Sequence, residues 1–241
     1  MLWLPIAVLS LPTIIYILAA IVPAIYLMRY IYKKDTIEKE PAALLWKLIL
    51  MGCLAGIVAM VLESIGEAVL NARVADDDPR YTYYLAFCVV AMAEEGAKMF
   101  LMKRQTWNDP NFNYKFDGIV YAAFTSLGFA AFENVGYIFN FGLSVALGRA
   151  VFAIPGHLGF SIFMGIFYGL AKKCSNNGDS LGSRCYLALA YVFPVLLHGF
   201  YDSCCMSGTT QSSLIFLIFV AIMYVIVINV VKLESRNDAR I

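Results

Sequence analysis

The sequence predicts an all-helical integral membrane protein with about seven transmembrane helices. Of its 241 residues, 61% are hydrophobic and only 15% are charged, a balance outside that of ordinary soluble domains. The apolar residues gather in runs of about 20, the length that a helix needs to cross a bilayer. These runs are 2–28, 44–66, 82–102, 117–141, 148–171, 185–206 and 212–231. Because the connections between them are short, we expect a single membrane domain over 1–241.

The distribution of charge predicts how the chain lies in the bilayer. Of the 18 Lys and Arg residues, Lys98 lies in the middle of a run, and fourteen lie in one set of alternate connections, at the run ends beside them or at the C-terminus. The other three, Arg73, Arg80 and Arg149, lie in or beside the other connections. The positive-inside rule places the fourteen in the cytoplasm. We therefore expect a multi-pass protein of the cell (plasma) membrane, with its N-terminus outside and its C-terminus cytoplasmic. The net charge of +1 and the lack of basic clusters argue against nucleic acid as a partner.

The first two runs carry little chemistry. The first has no basic leader and is longer than the apolar core of a signal peptide, so we expect an uncleaved first helix. The second contains Glu63 and Glu67, one turn apart at its outer end. Their position near the end of a run indicates an interfacial pair rather than a site.

The third run places Glu94, Glu95 and Lys98 in the middle of an apolar helix. A charged side chain at the centre of a bilayer costs about 2.5–3.5 kcal/mol on insertion scales, so ionisable groups at this depth indicate function. Two adjacent carboxylates in an apolar medium do not both stay ionised easily, although an ammonium one turn away favours the ionised form of its partner. One carboxyl can then act as a base and the other as an acid.

The next three runs each add polar groups. Glu133 and Tyr137 are four residues apart in the fourth run and share one helix face. His157 follows a Pro-Gly pair in the fifth run, and His198 and Asp202 are again four apart in the sixth. The seventh run contains no Asp, Glu, His, Lys or Arg. Two imidazoles that donate to an oxyanion or bind a metal, together with paired glutamates, match hydrolysis by an activated water.

Helix-breaking residues indicate where water reaches these groups. The sequence places them between the fourth run and the early part of the fifth, at Gly142, Gly148, Pro155 and Gly156. Irregular backbone at membrane depth is tolerated where it lines a water-filled cavity. We therefore expect a cavity at or above the midplane, with its mouth toward the outer face.

Two other classes of function fit parts of this pattern. A proton-coupled transporter or channel also uses buried Glu, His and Asp relays, although no internal repeat is visible in the sequence. A non-catalytic scaffold would bind other membrane helices through small residues, as in the segment GIVAMVLESIG. The scaffold leaves the buried charges without a role, so hydrolysis is the leading hypothesis.

Four motifs in order, each on its own run, resemble the PrsW family of membrane proteases, relatives of the CAAX-processing and bacteriocin-processing proteases. The resemblance covers about 82–206. The motifs are Glu94-Glu95-x-x-Lys98, Phe132-Glu133-x-x-x-Tyr137, His157-x-x-Phe160 and His198-x-x-x-Asp202.

The resemblance implies an intramembrane endopeptidase that clips a single-span, membrane-anchored protein, such as an anti-sigma factor, on its extracytoplasmic side. It implies that Glu94 and Glu95 supply the water-activating base and that His157 and His198 complete the site. Asp202 takes a position where the CAAX-processing relatives usually have asparagine. The implied catalytic set is Glu94, Glu95, Glu133, His157, His198 and Asp202, and the supporting set is Lys98, Tyr137, Phe132 and Phe160.

The sequence requires no cofactor, and zinc is compatible with it. A His, His, Glu set is a standard catalytic zinc shell that leaves a fourth position for water. In that case the ligands would be His157, His198 and a glutamate. Because the zinc-binding helix motif HExxH is absent, the sequence favours a glutamate-dependent site without metal.

Overall fold

The computed structural model describes residues 11–241, and over that range the chain forms seven helical segments and no β-strand. This confirms the predicted all-helical architecture. Six of these segments are long and apolar enough to span a membrane. The remaining segment, 81–106, carries the Glu-Glu-Lys group. The segments are α1 Leu11–Lys34, α2 Ala42–Asn71, α3 81–106, α4 Asp117–Phe141, α5 Leu143–Asn176, α6 Ser180–Met206 and α7 Thr210–Arg236. Residues 2–10 of the first predicted run lie outside the described residues.

Several helices extend beyond the predicted apolar runs because polar residues cap them. The helix α6 begins at Ser180, not at 185, because the Asp179 carboxylate accepts the backbone N–H of Gly182. The helix α7 begins at Thr210, where Thr209 and Ser212 form a reciprocal capping box. Such caps satisfy the free N–H groups of the first turn. A count of apolar residues cannot detect the first residues of these two helices.

The helix α4 is the centre of the bundle. It packs against α1, α2 and α5, and most of its residues from Asp117 to Ala130 are buried. Glycines permit the close approach: a Cβ at Gly128 would lie 2.5 Å from the carbonyl oxygen of Ile49, and one at Gly165 would lie 2.6 Å from that of Gly118. Small residues let helix backbones pack tightly where lipid supplies no hydrophobic drive. This packing fixes α4 as the rigid support for Glu133.

Two helices are irregular just before their polar residues. In α3 a π-helical stretch, Leu85–Ala91, precedes the regular segment Met92–Thr106. In α5 a 3₁₀ turn and a π-helical stretch, Arg149–Ala153, precede the regular segment Ile154–Asn176. π-Helical turns are rare and concentrate at functional sites. The predicted break at the start of the fifth run therefore takes the form of altered helical winding.

The two ends of the bundle are distinct. At the lysine-rich end, defined by the end of α1, the start of α4 and the end of α7, Ser235 donates a hydrogen bond to the carbonyl of Lys34, and Lys115 pairs with Glu234 at 2.7 Å. The backbone N–H of Phe116 donates to Asp238 there, at 2.8 Å. The connections α2–α3, α4–α5 and α6–α7 lie at the opposite end.

Candidate active site

A buried ion triad on α3 forms the base of the site. Glu94, Glu95 and Lys98 are all buried, and their spacing puts both carboxylates on the same helix face as the ammonium. The Lys98 Nζ lies 2.6 Å from Glu95 Oε1 and 3.4 Å from Glu94 Oε2. The ammonium compensates the negative charge that the two glutamates bring into the membrane.

His157 joins α5 to this triad. It lies in the first turn of the regular part of α5, just after Pro155, which is tolerated there because that turn's N–H groups need no partner within the helix. Its Nε2 lies 3.0 Å from Glu133 Oε2, and its Nδ1 lies 3.4 Å from Lys98 Nζ and 3.9 Å from Glu94 Oε2. One nitrogen thus faces a carboxylate of α4, and the other faces the triad.

His198 repeats this arrangement from α6. Its Nδ1 lies 2.9 Å from Glu95 Oε1 and 3.8 Å from Glu94 Oε2, and its Nε2 lies 3.3 Å from Asp202 Oδ2. The ring stacks on Phe160 with centroids 4.8 Å apart. A carboxylate behind each imidazole orients the ring and fixes which nitrogen faces the glutamates.

Arg149 holds Glu133 in position. The Arg149 Nη2 donates to Glu133 Oε2 at 2.7 Å, and its Nε donates to Asn134 Oδ1 at 2.8 Å. The guanidinium lies 3.7 Å from the centroid of the Tyr137 ring. Tyr137 therefore contacts the arginine, while Glu133 contacts His157.

The two phenylalanines of the motifs have different surroundings. Phe160 lies beside both imidazoles, edge-to-face with His157 and stacked on His198. Phe132 instead packs against Gly56 of α2, where a Cβ would lie only 2.6 Å from the ring. Phe160 thus fixes the histidines, and Phe132 forms part of the wall.

These polar groups face a cavity of about 920 Å³. Its wall includes Phe141, Gly148, Met206 and Phe216, which lie near helix ends remote from the lysine-rich end. The cavity therefore extends from the polar cluster toward the opposite end of the bundle. Of the two adjacent glutamates, only Glu94 lines it. The ionisable lining residues are Glu63, Glu94, Glu133, Tyr137, Arg149, His157, His198, Tyr201, Asp202 and Cys205.

The same cluster has the donor set of a metal site. Glu94, Glu95, His157 and His198 each offer a ligand atom, and these atoms all lie within 4.8 Å of one another. Among residues 11–241 this is the only such group of three or more ligands. The second carboxylate oxygen of Glu95 is buried without a hydrogen-bond partner in that range. A buried carboxylate oxygen without a partner, beside two imidazoles that are each oriented by a carboxylate, fits a divalent cation.

Comparison with known proteins identifies the family. Residues 40–230 match the PrsW family of intramembrane metalloproteases. This chain belongs to that family. It is 33% identical to Protease PrsW of Clostridioides difficile (strain 630) over 222 residues, which cover 90% of each chain. It is 33% identical to Protease PrsW of Oceanobacillus iheyensis over 219 residues, covering 91% of this chain and 95% of that one.

A further relative is Protease PrsW of Bacillus subtilis (strain 168), 29% identical over 184 residues, covering 76% of this chain and 79% of that one. No solved structure matches significantly. The chain is therefore a PrsW-family intramembrane protease, a peptide hydrolase and a multi-pass membrane protein.

The structure of this PrsW-family protease adds two residues to the predicted site. From the sequence, Arg149 was expected beside an outer connection, but the residue contacts Glu133. Glu63 was expected at the membrane interface, but it lines the cavity, whereas Glu67 is exposed. Arg149 directly follows Gly148, one of the predicted helix breaks, and that proximity was the available signal for it. No signal in the sequence separated Glu63 from Glu67.

Proposed function

We propose that this PrsW-family protease cleaves a single-span membrane protein with the Glu94 carboxylate as the base that activates water. The observation that carries the proposal is the position of Glu94. It lines the cavity, and its Oε2 lies 3.8 Å from His198 Nδ1 and 3.9 Å from His157 Nδ1. A water molecule in the cavity can therefore meet the carboxylate and the imidazole edges together, as general-base catalysis requires.

The proton then follows a short route. Glu94 takes a proton from the water as the water oxygen attacks the carbonyl carbon of the substrate. It then gives that proton to the amide nitrogen as the C–N bond breaks. Lys98, buried 3.4 Å from Glu94 Oε2, compensates the charge of the ionised carboxylate.

Glu95 has a separate role as an anchor. It is fully buried, does not line the cavity, and its Oε1 contacts both Lys98 Nζ at 2.6 Å and His198 Nδ1 at 2.9 Å. The two adjacent glutamates thus have different roles. Glu94 acts on water, and Glu95 holds the groups around it.

The donor set also fits a divalent metal such as zinc, held by His157, His198 and Glu95. Two histidines and a glutamate are a known catalytic zinc shell, and a bound zinc would polarise the substrate carbonyl and lower the pKa of its water to about 7. Glu133 and Asp202 would orient the two imidazoles in this arrangement. Glu94 remains the base, and this proposal replaces the metal-free preference drawn from the sequence.

The shape of the cavity supports a proposal for the substrate and for the side of cleavage. The cavity extends away from the lysine-rich end, which the positive-inside rule assigns to the cytoplasm of the cell. We place the N-terminus outside, the C-terminus in the cytoplasm of a plasma-membrane protein, and the cut near the extracytoplasmic boundary. As the substrate we propose a membrane-anchored regulator of the anti-sigma-factor kind.

The test is a comparison of new protein N-termini in membranes of bacteria that express the wild type, Glu94→Gln or Glu67→Gln. Glu67 is exposed on α2 and does not line the cavity, so its variant is the matched control. We expect N-termini within or just outside the membrane segment of a single-span protein, present with the wild type and Glu67→Gln and absent with Glu94→Gln.

The three proteins must be equally abundant and folded, as shown by gel filtration in detergent. Under that condition, equal termini from wild type and Glu94→Gln would reject Glu94 as the base. Cleavage only in soluble proteins would reject the proposed substrate class.

A further inference from the structure

One carboxylate in the cavity is not used by the chemistry above. Glu63 is the only ionisable residue of α2 that lines the cavity, and it is half-buried. It makes no hydrogen bond or ion pair within 4 Å with any other residue in the described range 11–241. The other carboxylates of the cavity each contact a cation or an imidazole.

The neighbouring charges leave Glu63 without a cation of its own. The groups that act on it electrostatically are Glu133, Asp202, His198 and Lys98. Lys98 already contacts the two glutamates of α3, and His198 already lies between a glutamate and Asp202. A carboxylate at membrane depth is costly unless a positive charge meets it. The missing cation can come from a bound substrate.

The wall around Glu63 suits a long basic side chain. On the same face of α2, Gly56, Ala59 and Met60 line the cavity, and the Phe132 ring packs onto Gly56. Lysine and arginine bury their aliphatic stems against apolar surface while their charged heads reach a polar partner. An apolar wall that ends in an unpaired carboxylate therefore fits such a side chain.

We propose that Glu63 forms a subsite that receives a lysine or arginine side chain of the substrate, close to the bond that is cut. The expected effect on cleavage rates rests on the proposed hydrolysis. The expected effect on peptide affinity does not depend on the hydrolysis. The subsite would add specificity for a basic residue at one fixed position relative to the cleavage site.

The probes are synthetic single-span peptides with a Gly-Ala-rich segment near one end, in which one position at a time is Lys, Gln or Glu. Cleavage rates are measured for the full-length wild type, Glu63→Gln, Glu63→Lys and the exposed control Glu67→Lys in detergent micelles. At one position, we expect the wild type and Glu67→Lys to favour Lys over Gln by about tenfold in kcat/KM, as for a hydrogen bond to a charged group.

The charge variants give the decisive ratios. The Lys-to-Gln ratio should fall to about one in Glu63→Gln, and Glu63→Lys should favour the Glu peptide instead. A ratio that is the same in wild type and Glu63→Gln would overturn the subsite, and so would a wild type with no preference at any position.

Binding separates this proposal from the proposed hydrolysis. The affinity for the Lys peptide is measured for the Glu94→Gln protein and for the double variant Glu94→Gln, Glu63→Gln. We expect the double variant to bind the peptide about tenfold more weakly. A tenfold loss in a protein whose wild type cuts no peptide would support the subsite and reject the hydrolysis. Equal binding with normal wild-type cleavage would reject the subsite and keep the hydrolysis.

Discussion

Among residues 11–241, buried carboxyl groups occur at two places, and only one of these places has the form of an active site. The Glu-His cluster, at the cavity, consists of Glu94, Glu95, Glu133, Lys98, His157 and His198. The carboxyl cluster, at the lysine-rich end, consists of Asp35, Glu40, Asp117 and Tyr121. All three carboxyl groups of the second cluster are as deeply buried as those of α3.

The difference lies in what surrounds the carboxyl groups. In the Glu-His cluster every carboxylate lies within 4 Å of an ammonium, guanidinium or imidazole nitrogen. In the carboxyl cluster, none of the ion pairs formed within residues 11–241 includes Asp35, Glu40 or Asp117. Asp117 instead accepts the backbone N–H groups of Asn113 and Tyr114, at 3.0 and 2.6 Å.

Without a cation, the carboxyl groups of this cluster keep their protons up to a higher pH than usual. Burial raises the pKa of Asp35 to about 6, and burial together with the nearby Asp117 raises the pKa of Glu40 well above its usual range. Burial alone thus does not make a site, because hydrolysis also needs compensating cations, imidazoles and a cavity.

The largest expected difference between the clusters is in metal binding. We predict about one zinc per chain in wild type purified without chelator, near zero in His198→Ala, and an unchanged content in Glu40→Gln. The reason is that only the Glu-His cluster contains imidazoles next to carboxylates. The measurement is elemental analysis of the purified full-length protein, with cleavage of the single-span peptides measured in parallel.

Chelation sharpens the same test. Removing the zinc should abolish peptide cleavage, and adding it back should restore cleavage in Glu40→Gln but not in His198→Ala. A fully active wild-type protein that holds no metal would return the site to the metal-free glutamate chemistry that the sequence favours.

The sequence predicted the Glu-His cluster better than its surroundings. Glu94, Glu95, His157 and His198 could be found because ionisable residues in apolar runs are costly and therefore conspicuous. Arg149 and Glu63 were not assigned to the site because both lie near the ends of their runs, where charge is ordinary. The seven helical segments followed from run length, whereas their ends depended on caps such as Asp179.

The carboxyl cluster could not be predicted at all. Asp35 and Glu40 belong to a short polar connection, and Asp117 begins a helix, so each is unremarkable by position. Their burial arises only because the connection folds onto the start of α4. Tertiary contact of this kind leaves no periodic signal in the sequence.

A smaller effect is expected from Arg149, which links Glu133 to the cavity wall. We predict that Arg149→Gln lowers kcat/KM for peptide cleavage by about 10–100-fold, the usual cost of losing a group that orients a ligand histidine. Arg149→Lys should recover part of the loss, since a lysine keeps the charge but cannot bond Glu133 and Asn134 together. The matched control is Arg73→Gln, an exposed arginine in the α2–α3 connection. An Arg149→Gln protein as active as this control would show that Glu133 needs no cation.

The smallest expected effect is on thermal stability, and it tests the pH at which the carboxyl cluster loses its protons. The pKa of Asp35 is raised in the folded protein, so its neutral form stabilises the fold fully below about pH 3.8 and this contribution is lost as the pH rises through about 6. We therefore predict that the thermal midpoint of wild type in detergent falls between pH 4 and 7, and that Asp35→Asn reduces this fall by about 2–4 °C, the shift that about 1 kcal/mol produces in a chain of this size. The control is Asp78→Asn, because the pKa of Asp78 is lowered to about 2 by Arg80 and its contribution changes only at more acidic pH. A fall of the same size in wild type and Asp35→Asn would mean that the pKa of Asp35 is not raised in the folded protein, and the contrast drawn between the two clusters would then be wrong.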